Sequence, residues 1–542
     1  MLPPPAASPP NPISDVGWRL LLGCAAAAAV VFLFGAGQRL LYPHELEWME
    51  GAMADHAWRV ANGLPLHCAP GPEHVPFLYA PLSFWLGGAL VWLGLPGLQA
   101  LRLVATLATI GCAMLVGHWV RRETGRLAPG LVATGVFLGG YGWLAWWYDL
   151  ARNDELFVLL CLATAYVLQH GGPRRWLPAA ALATAAVLAK QSALMWLPAI
   201  LVGALCHDWR AALRFGVAAL AGIAASTACM HLASDGWSTF FLFEMPRHHG
   251  WNGERKLAFW IEDLQPMLPL LALGLTGFAV QWREGRRKEA LFLAAFGSGG
   301  LLTSWFSRLH VGGFDNVIMY GFAAACVLGP AVAATTRRLR IAVPLLLLVQ
   351  FGWLALAATR PTGDEGWSRT TRHTMLPSPA HRRAHEELLE FVRHQPGPVW
   401  IPGHGGISAR AGKGTGAHGQ AIFDLLQLLP RQPGGMFDLS ALDDRSKLAH
   451  LSERAQRALA SLLDGATQAL REQRFAAIVV DSIGAHAFEN VFRAGLAGPD
   501  GKRGTDDDPY VRLPGPLLTE PRAIRPLFGY EVHSPYALVP RR

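Results

Sequence analysis

Charge is what this sequence has least of. Only 16% of its 542 residues are Asp, Glu, Lys or Arg, against about 25% in a soluble chain of ordinary composition. The shortage lies in the first 360 residues, where long apolar runs alternate with short Arg-rich punctuation. Such runs exclude a soluble globular fold for that part and point to a membrane protein. Cysteine is scarce as well. Cys24, Cys112, Cys161, Cys206, Cys229 and Cys326 fall in or at the edge of apolar segments, and only Cys68 lies in a clear loop. With no CxxC pair, neither a disulfide framework nor a cysteine metal site follows, and the thiols read as small apolar filler. A P-loop is missing too. Gly403-His-Gly-Gly406 and Gly412-Lys-Gly414 are glycine-rich but match no phosphate-cradling pattern, and read as plain loops. The net charge of +8 does not point to nucleic acid, because the basic residues sit in short loops between apolar runs, as bilayer topology demands.

What is present is a series of apolar segments: 18–41, 99–120, 129–148, 155–170, 176–190, 192–206, 213–231, 266–281, 288–304, 316–334 and 340–358. Several fall short of the roughly 20 residues that cross a bilayer squarely. Segment 78–95 is also apolar and decides the topology. Basic residues cluster at Arg121, Arg122 and Arg126; at Arg174 and Arg175; at Arg210 and Arg214; at Arg283, Arg286, Arg287 and Lys288; and at Arg337, Arg338 and Arg340. All five clusters share one side, the cytoplasmic one by the positive-inside rule, if 78–95 does not fully cross and 176–206 is two short helices meeting at Lys190. Loop 43–98, the 149–154 turn, Lys190-Gln191, loop 232–265, the 305–315 turn and the C-terminal region then face outward together. A full crossing by 78–95 would flip the parity and scatter them.

The expected organisation is a disordered cytoplasmic tail over 1–17, a transmembrane domain over 18–360 beginning with an uncleaved anchor, and a soluble domain over 361–542. That last part carries helical patterning near 381–393 and 450–473. Its strand-like runs, Val399-Trp-Ile-Pro402 and Phe475-Ala-Ala-Ile-Val-Val-Asp481, suggest a small α/β domain.

Chemistry-bearing residues collect in the outward loops. Tyr42-Pro-His-Glu-Leu-Glu-Trp-Met-Glu-Gly51 puts three carboxylates, Glu45, Glu47 and Glu50, within six residues of each other at a membrane surface. Glu47 and Glu50 would share a helix face, with Gly63 as its stop. Either the acids are used, or they form the solvated face of an interfacial helix. Tyr148-Asp-Leu-Ala-Arg-Asn-Asp-Glu155 adds Asp149, Arg152 and Asp154, which either neutralise one another or serve the first loop's acids. Lys190 interrupts an apolar stretch, where a cation pairs, binds an anion such as phosphate, or snorkels to the interface. Arg308-Leu-His-Val-Gly-Gly-Phe-Asp-Asn316 offers a guanidinium and the His310 imidazole to an anionic group, or is a turn between helices. Loop 232–265 holds Glu244, Arg247, His248, His249 and Trp251, whose paired His residues lack a third ligand, so no metal site is assigned. Trp48, Trp146, Trp147, Trp237 and Trp251 offer faces for a sugar, or simply mark the interface.

In order and loop placement these motifs resemble the GT-C superfamily of membrane glycosyltransferases, in particular the group related to lipid A aminoarabinose transferases and protein O-mannosyltransferases. The matching pieces are Glu45-Leu-Glu-Trp-Met-Glu-Gly51, Gly63, Pro76-Phe-Leu-Tyr-Ala-Pro-Leu82, Arg102, Tyr148-Asp-Leu-Ala-Arg-Asn-Asp154, Lys190-Gln191 and Arg308-Leu-His-Val-Gly-Gly313, over about residues 18–360. The resemblance implies an α-helical polytopic membrane protein with about 11 transmembrane helices, a juxtamembrane helical first loop and a C-terminal soluble α/β domain. It further implies inverting transfer of a sugar from a polyprenyl-phosphate donor to a lipid, glycan or protein acceptor, on the periplasmic face of a bacterial inner membrane. By the same resemblance Glu45 or Glu47 is the base and Asp154 the second acid. Lys190, Arg308 and His310 neutralise the donor phosphate, and Glu50, Asp149 and Arg152 position the acceptor or the base. The family's first loop usually carries Asp then Glu, whereas this chain has Glu-Leu-Glu, so the catalytic Glu stays open. No metal ligand is assigned, and dependence on a divalent metal stays open, since the superfamily includes both cases. The competing readings are a transporter or flippase for a lipid-linked saccharide, which would show internal repeats, and a non-catalytic assembly subunit of the same fold.

Overall fold

Apolar length sets the architecture. The computed structural model describes residues 12–332, 341–359, 376–432, 437–482, 484–520 and 532–541. Each of the eleven expected segments becomes a helix: α1 (Pro12–Leu40), α4 (Gly97–Thr124), α5 (Leu127–Trp143), α6 (Asp154–His170), α7 (Trp176–Ala189), α8 (Ala193–His207), α9 (Trp209–Ala233), α10 (Leu268–Arg283), α11 (Arg287–Leu309), α12 (Met319–Ala331) and α13 (Ala342–Ala358). Between α1 and α4 lie α2 (Glu50–Ala61) and α3 (Leu82–Trp92). Among the described residues, five stretches are long and apolar enough to cross a membrane unaided, namely α1, α4, α9, the run Arg255–Arg283 and α11. The first 11 residues of the expected tail lie outside the described residues, and helix begins at Pro12.

Segment 78–95 forms only the 11-residue α3. At 1.5 Å per residue that rises about 16 Å, half of a hydrocarbon core of about 30 Å. It packs against α2 and α4. Helix also breaks at Lys190, whose backbone is extended between α7 and α8. A short α3 and a break at Lys190 are the two features that grouping the basic clusters calls for. Contacts at one end of the bundle agree: His170 pairs with Glu123 at 3.1 Å and Arg175 with Asp208 at 2.7 Å. The cluster at Arg337, Arg338 and Arg340 lies outside the described residues.

Two departures from the expected segments follow from the backbone. The segment expected to run to 148 stops at Trp143, because Ala145 and Trp146 adopt positive φ (53° and 61°). A single 3₁₀ turn, Trp147–Asp149, follows. The first-loop helix starts at Glu50, so Glu45 and Glu47 precede it in a stretch of bends and turns. It ends as expected at Gly63, where φ is +67°. The Gly63 amide bonds to Val60 O and the Leu64 amide to Arg59 O, closing a Schellman turn that a β-carbon would strain.

The C-terminal part contains α14 (Pro379–Arg393) and α15 (Glu453–Arg471), with strands β1 (Val399–Trp400), β2 (Ala477–Ser482), β3 (Tyr510–Arg512) and β4 (Val532–Pro540). The sheet order is β1-β2-β4-β3, with β1 parallel to β2 and the other pairs antiparallel. Ser378 caps α14, accepting from the His381 amide while the His381 ring accepts from the Ser378 amide. This part does not stand apart from the first loop. One apolar cluster runs from Trp48, Met53 and Phe77 through Trp237 and Phe240 to Trp400, Leu425, Leu459 and Leu462.

Candidate active site

Three acids of the first loop are buried, not solvated: Glu45 is 2% exposed, Glu47 and Glu50 0%. A surface acidic face is therefore overturned, and each carboxylate is accounted for by what it touches. Glu50 is saturated. Its two oxygens take Arg102 Nε at 2.9 Å, Arg102 Nη2 at 2.5 Å, the Ala151 amide at 2.8 Å and the Leu46 amide at 2.7 Å. Arg102 spends its remaining hydrogens on the carbonyls of Arg39, Tyr42 and His44. This bidentate pair fastens the end of α1, the first loop and α4 together, and the Arg102 charge holds the Glu50 carboxyl below its ordinary range against the pull of burial.

Glu47 is different. One oxygen accepts from the Met49 amide at 3.2 Å and faces Arg152 Nη1 at 3.5 Å, while Oε1 has no partner. Burial pushes this carboxyl up to about 7, opposed by Arg152. Arg152 lies over the rings of Tyr79 and Trp147, at 5.4 and 5.2 Å, and donates to the Tyr79 hydroxyl at 2.9 Å. Lys190 Nζ also lies over the Tyr79 ring, at 6.0 Å. The ammonium donates to Asp154 Oδ1 at 2.6 Å and to the Tyr320 hydroxyl at 3.0 Å. Tyr320 in turn donates to the same carboxylate oxygen, and Asp154 Oδ2 is left without a partner. Glu47, Arg152, Tyr79, Lys190, Tyr320 and Asp154 thus form one continuous buried network.

The other expected site residues are placed elsewhere. Glu45 turns to the C-terminal region, where its Oε2 meets His404 Nδ1 at 2.6 Å. Asp149 belongs to Arg39, at 3.2 Å, and accepts from the Tyr141 hydroxyl at 2.9 Å. Asp149, Arg152 and Asp154 therefore do not neutralise one another; each finds its partner on a different part of the chain. Arg308 spreads its guanidinium over Asp263, at 2.9 Å, and Asp315, at 3.3 Å, and donates to the Gly313 carbonyl at 2.8 Å. His310 stacks on His249 at 4.8 Å, and its backbone bridges to that of Trp251. Lys190 does not stand alone, since Asp154 compensates its charge at 2.6 Å. Sequence reasoning singled out neither Tyr320 nor Asp263, nor His385 and His404. The two Tyr residues reach the network from positions with no local acidic or basic signal, and only the Pro76–Leu82 motif drew attention to Tyr79.

No known family matches the sequence, and neither does any curated protein. Solved structures do. ArnT from Cupriavidus metallidurans in the apo state superposes with a TM-score of 0.55 at 13% identity, covering 88% of this chain and 95% of that one. The same protein bound to undecaprenyl phosphate gives 0.53, again at 13% identity, over 87% and 94%. The chain shares the fold of these structures. Within it the buried network sits where the first loop, the turn before α6 and the α7–α8 break meet, at the end of the bundle opposite the His170–Glu123 and Arg175–Asp208 contacts. It is a multi-pass membrane protein whose charged interior residues gather at one end.

Proposed function

We propose that this protein is an inverting glycosyltransferase that takes a sugar from a polyprenyl-phosphate donor and passes it to a hydroxyl of a lipid, glycan or protein acceptor. The observation that carries the reading is the linkage, in one largely buried network, of two carboxylates that each keep an unpartnered oxygen, Glu47 Oε1 and Asp154 Oδ2, with Arg152 on the first, the Lys190 ammonium on the second and Tyr79 in contact with both cations. An isolated unpartnered acid at such depth costs several kcal/mol, and a bound acceptor hydroxyl would satisfy it. That the ArnT of the same fold binds undecaprenyl phosphate supports the donor class.

In this reading Glu47 is the base. It takes the proton of the acceptor hydroxyl as that oxygen attacks the anomeric carbon from the face opposite the phosphate. The carbon–oxygen bond to the phosphate breaks, the electron pair leaves with the polyprenyl phosphate, and configuration inverts. Lys190 faces the charge that develops on the departing phosphate. Asp154 holds Lys190 in place and offers its second oxygen to the acceptor. Glu47 is preferred to Glu45 because Glu45 is engaged by His404, outside the network. Arg308 is held by two acids and Lys190 by one, so Lys190, with His310, is assigned to face the phosphate. Arg152 orients Glu47, whereas Glu50 and Asp149 hold the scaffold through Arg102 and Arg39. The basic clusters at the other end of the bundle support placing this end outside the cytoplasm, which in this reading is the periplasmic face of a bacterial inner membrane.

The test is Glu47→Gln in purified protein, reconstituted in liposomes with a lipid-linked sugar. A positioned general base contributes about 10²–10⁴-fold, so transfer should fall by at least about 100-fold while donor binding persists. Full transfer by this variant would defeat the mechanism. Reporter fusions at residues 124 and 152 should report cytoplasm and periplasm respectively, and mass spectrometry of lipid and glycan from a deletion strain would identify the missing sugar.

A further inference from the structure

Where the C-terminal region meets the first loop, three ligand-type side chains converge from three separate stretches: Glu45 before α2, His385 on α14, and His404 in the glycine-rich loop after β1. All are buried, at 2%, 0% and 1% exposure. One ligand atom from each lies within 4.8 Å of the others, and the Glu45–His404 contact is 2.6 Å. Around a tetrahedral zinc with bonds of about 2.0–2.1 Å, ligand atoms sit about 3.3 Å apart. Side-chain shifts of no more than about 1.5 Å would therefore bring this set to bonding distance.

The His385 ring is set up for such a role. Its Nδ1 lies 2.9 Å from the His381 carbonyl, which can only accept, so the proton is on Nδ1. Nε2 is then a bare lone pair, and this buried atom has no hydrogen-bond partner. A histidine whose second nitrogen is bonded to a backbone carbonyl is the usual outer support of a metal ligand. The surrounding backbone is held just as closely. A β-carbon at Gly51 would stand 2.1 Å from Gly405 O, and one at Gly405 would stand 2.2 Å from the Ala52 nitrogen. Asp55 accepts from the Gly406 amide at 2.9 Å, and Arg410 donates to the Pro43 carbonyl at 2.7 Å.

We propose that Glu45, His385 and His404 form a structural zinc site that clamps the first loop to the C-terminal region. Two imidazoles and one carboxylate suit zinc, with the fourth position filled by water or a neighbouring oxygen. The site lies outside the Glu47–Asp154 network and does not depend on sugar transfer, so the two readings fail separately.

The full-length protein, purified in detergent, is saturated with zinc chloride, dialysed against metal-free buffer, and analysed by elemental mass spectrometry and zinc K-edge absorption. One zinc per chain is expected, with a nitrogen/oxygen shell near ~2.0 Å and the multiple scattering of two imidazoles. His385→Ala and His404→Ala should each lower retained zinc by at least about tenfold, the drop that loss of a supporting ligand brings. Should either variant fail to stay monodisperse, the absorption spectrum of the unaltered protein decides alone. Less than a tenth of a zinc per chain, a sulfur-containing shell, a shell without imidazole, or undiminished zinc in both monodisperse variants overturns the proposal.

Discussion

Glu47 and Glu50 lie three residues apart, both fully buried and both beside an arginine, yet their surroundings differ in kind. Glu50 receives four hydrogen bonds, two of them from a bidentate guanidinium. Glu47 faces its arginine at 3.5 Å and keeps one oxygen bare. A saturated buried pair holds elements together, because removing either partner strands a charge in a low dielectric. An unsaturated one is a binding capacity kept open at a cost in stability. On the mechanism proposed above, Glu47 is the reactive member of this pair and Glu50 the structural one.

Several experiments can break that contrast. The largest effect belongs to the saturated pair: Arg102→Ala should destabilise the fold by about 3–5 kcal/mol, seen as lost expression or a collapsed thermal transition in detergent. Glu47→Gln should do the opposite. Its loss of about 100-fold in transfer corresponds to about 2.7 kcal/mol of barrier, while its thermal midpoint stays near that of the unaltered protein. If Glu47→Gln unfolds as readily as Arg102→Ala, the contrast is wrong. A third measurement concerns Asp154 and Lys190. Either single neutralisation should lower stability by a few kcal/mol by stranding the partner, whereas Asp154→Asn with Lys190→Met together should recover most of it and still fail to transfer sugar. Activity in that double variant would remove both residues from the reaction. The smallest effect is expected at the surface, where Arg383 and Glu520 pair at 3.2 Å with both side chains more than half exposed. Arg383→Ala should cost less than about 1 kcal/mol.

The membrane part was legible because apolar length and Arg placement are local signals. All eleven segments are helices, and the shortness of α3 and the break at Lys190 were both anticipated by the need to keep basic clusters together. Boundaries slipped where a local backbone feature intervened, as at Ala145 and Trp146. The site was legible as a set of loops but not as a set of pairs. Nothing near Asp149 says that it bonds to Arg39 rather than Arg152, since the partners are 110 residues apart in sequence and side-chain pairing leaves no periodic trace. The Gly403–Gly406 stretch shows the same limit. It is a loop, as read, yet its glycines serve contact with Gly51 rather than flexibility.

That contact bears on how the molecule could be divided. Trp48, Met53 and Phe77 share their apolar cluster with Leu425, Leu459 and Leu462. A chain cut after Thr359 would therefore not be a smaller version of the same device. It would present uncovered greasy surface and a carboxylate stripped of its imidazole just where a substrate must arrive, and a fragment of that kind clumps before it works. Any effort to trim this protein for crystals, screens or reconstitution should shorten the first residues and leave the far end whole.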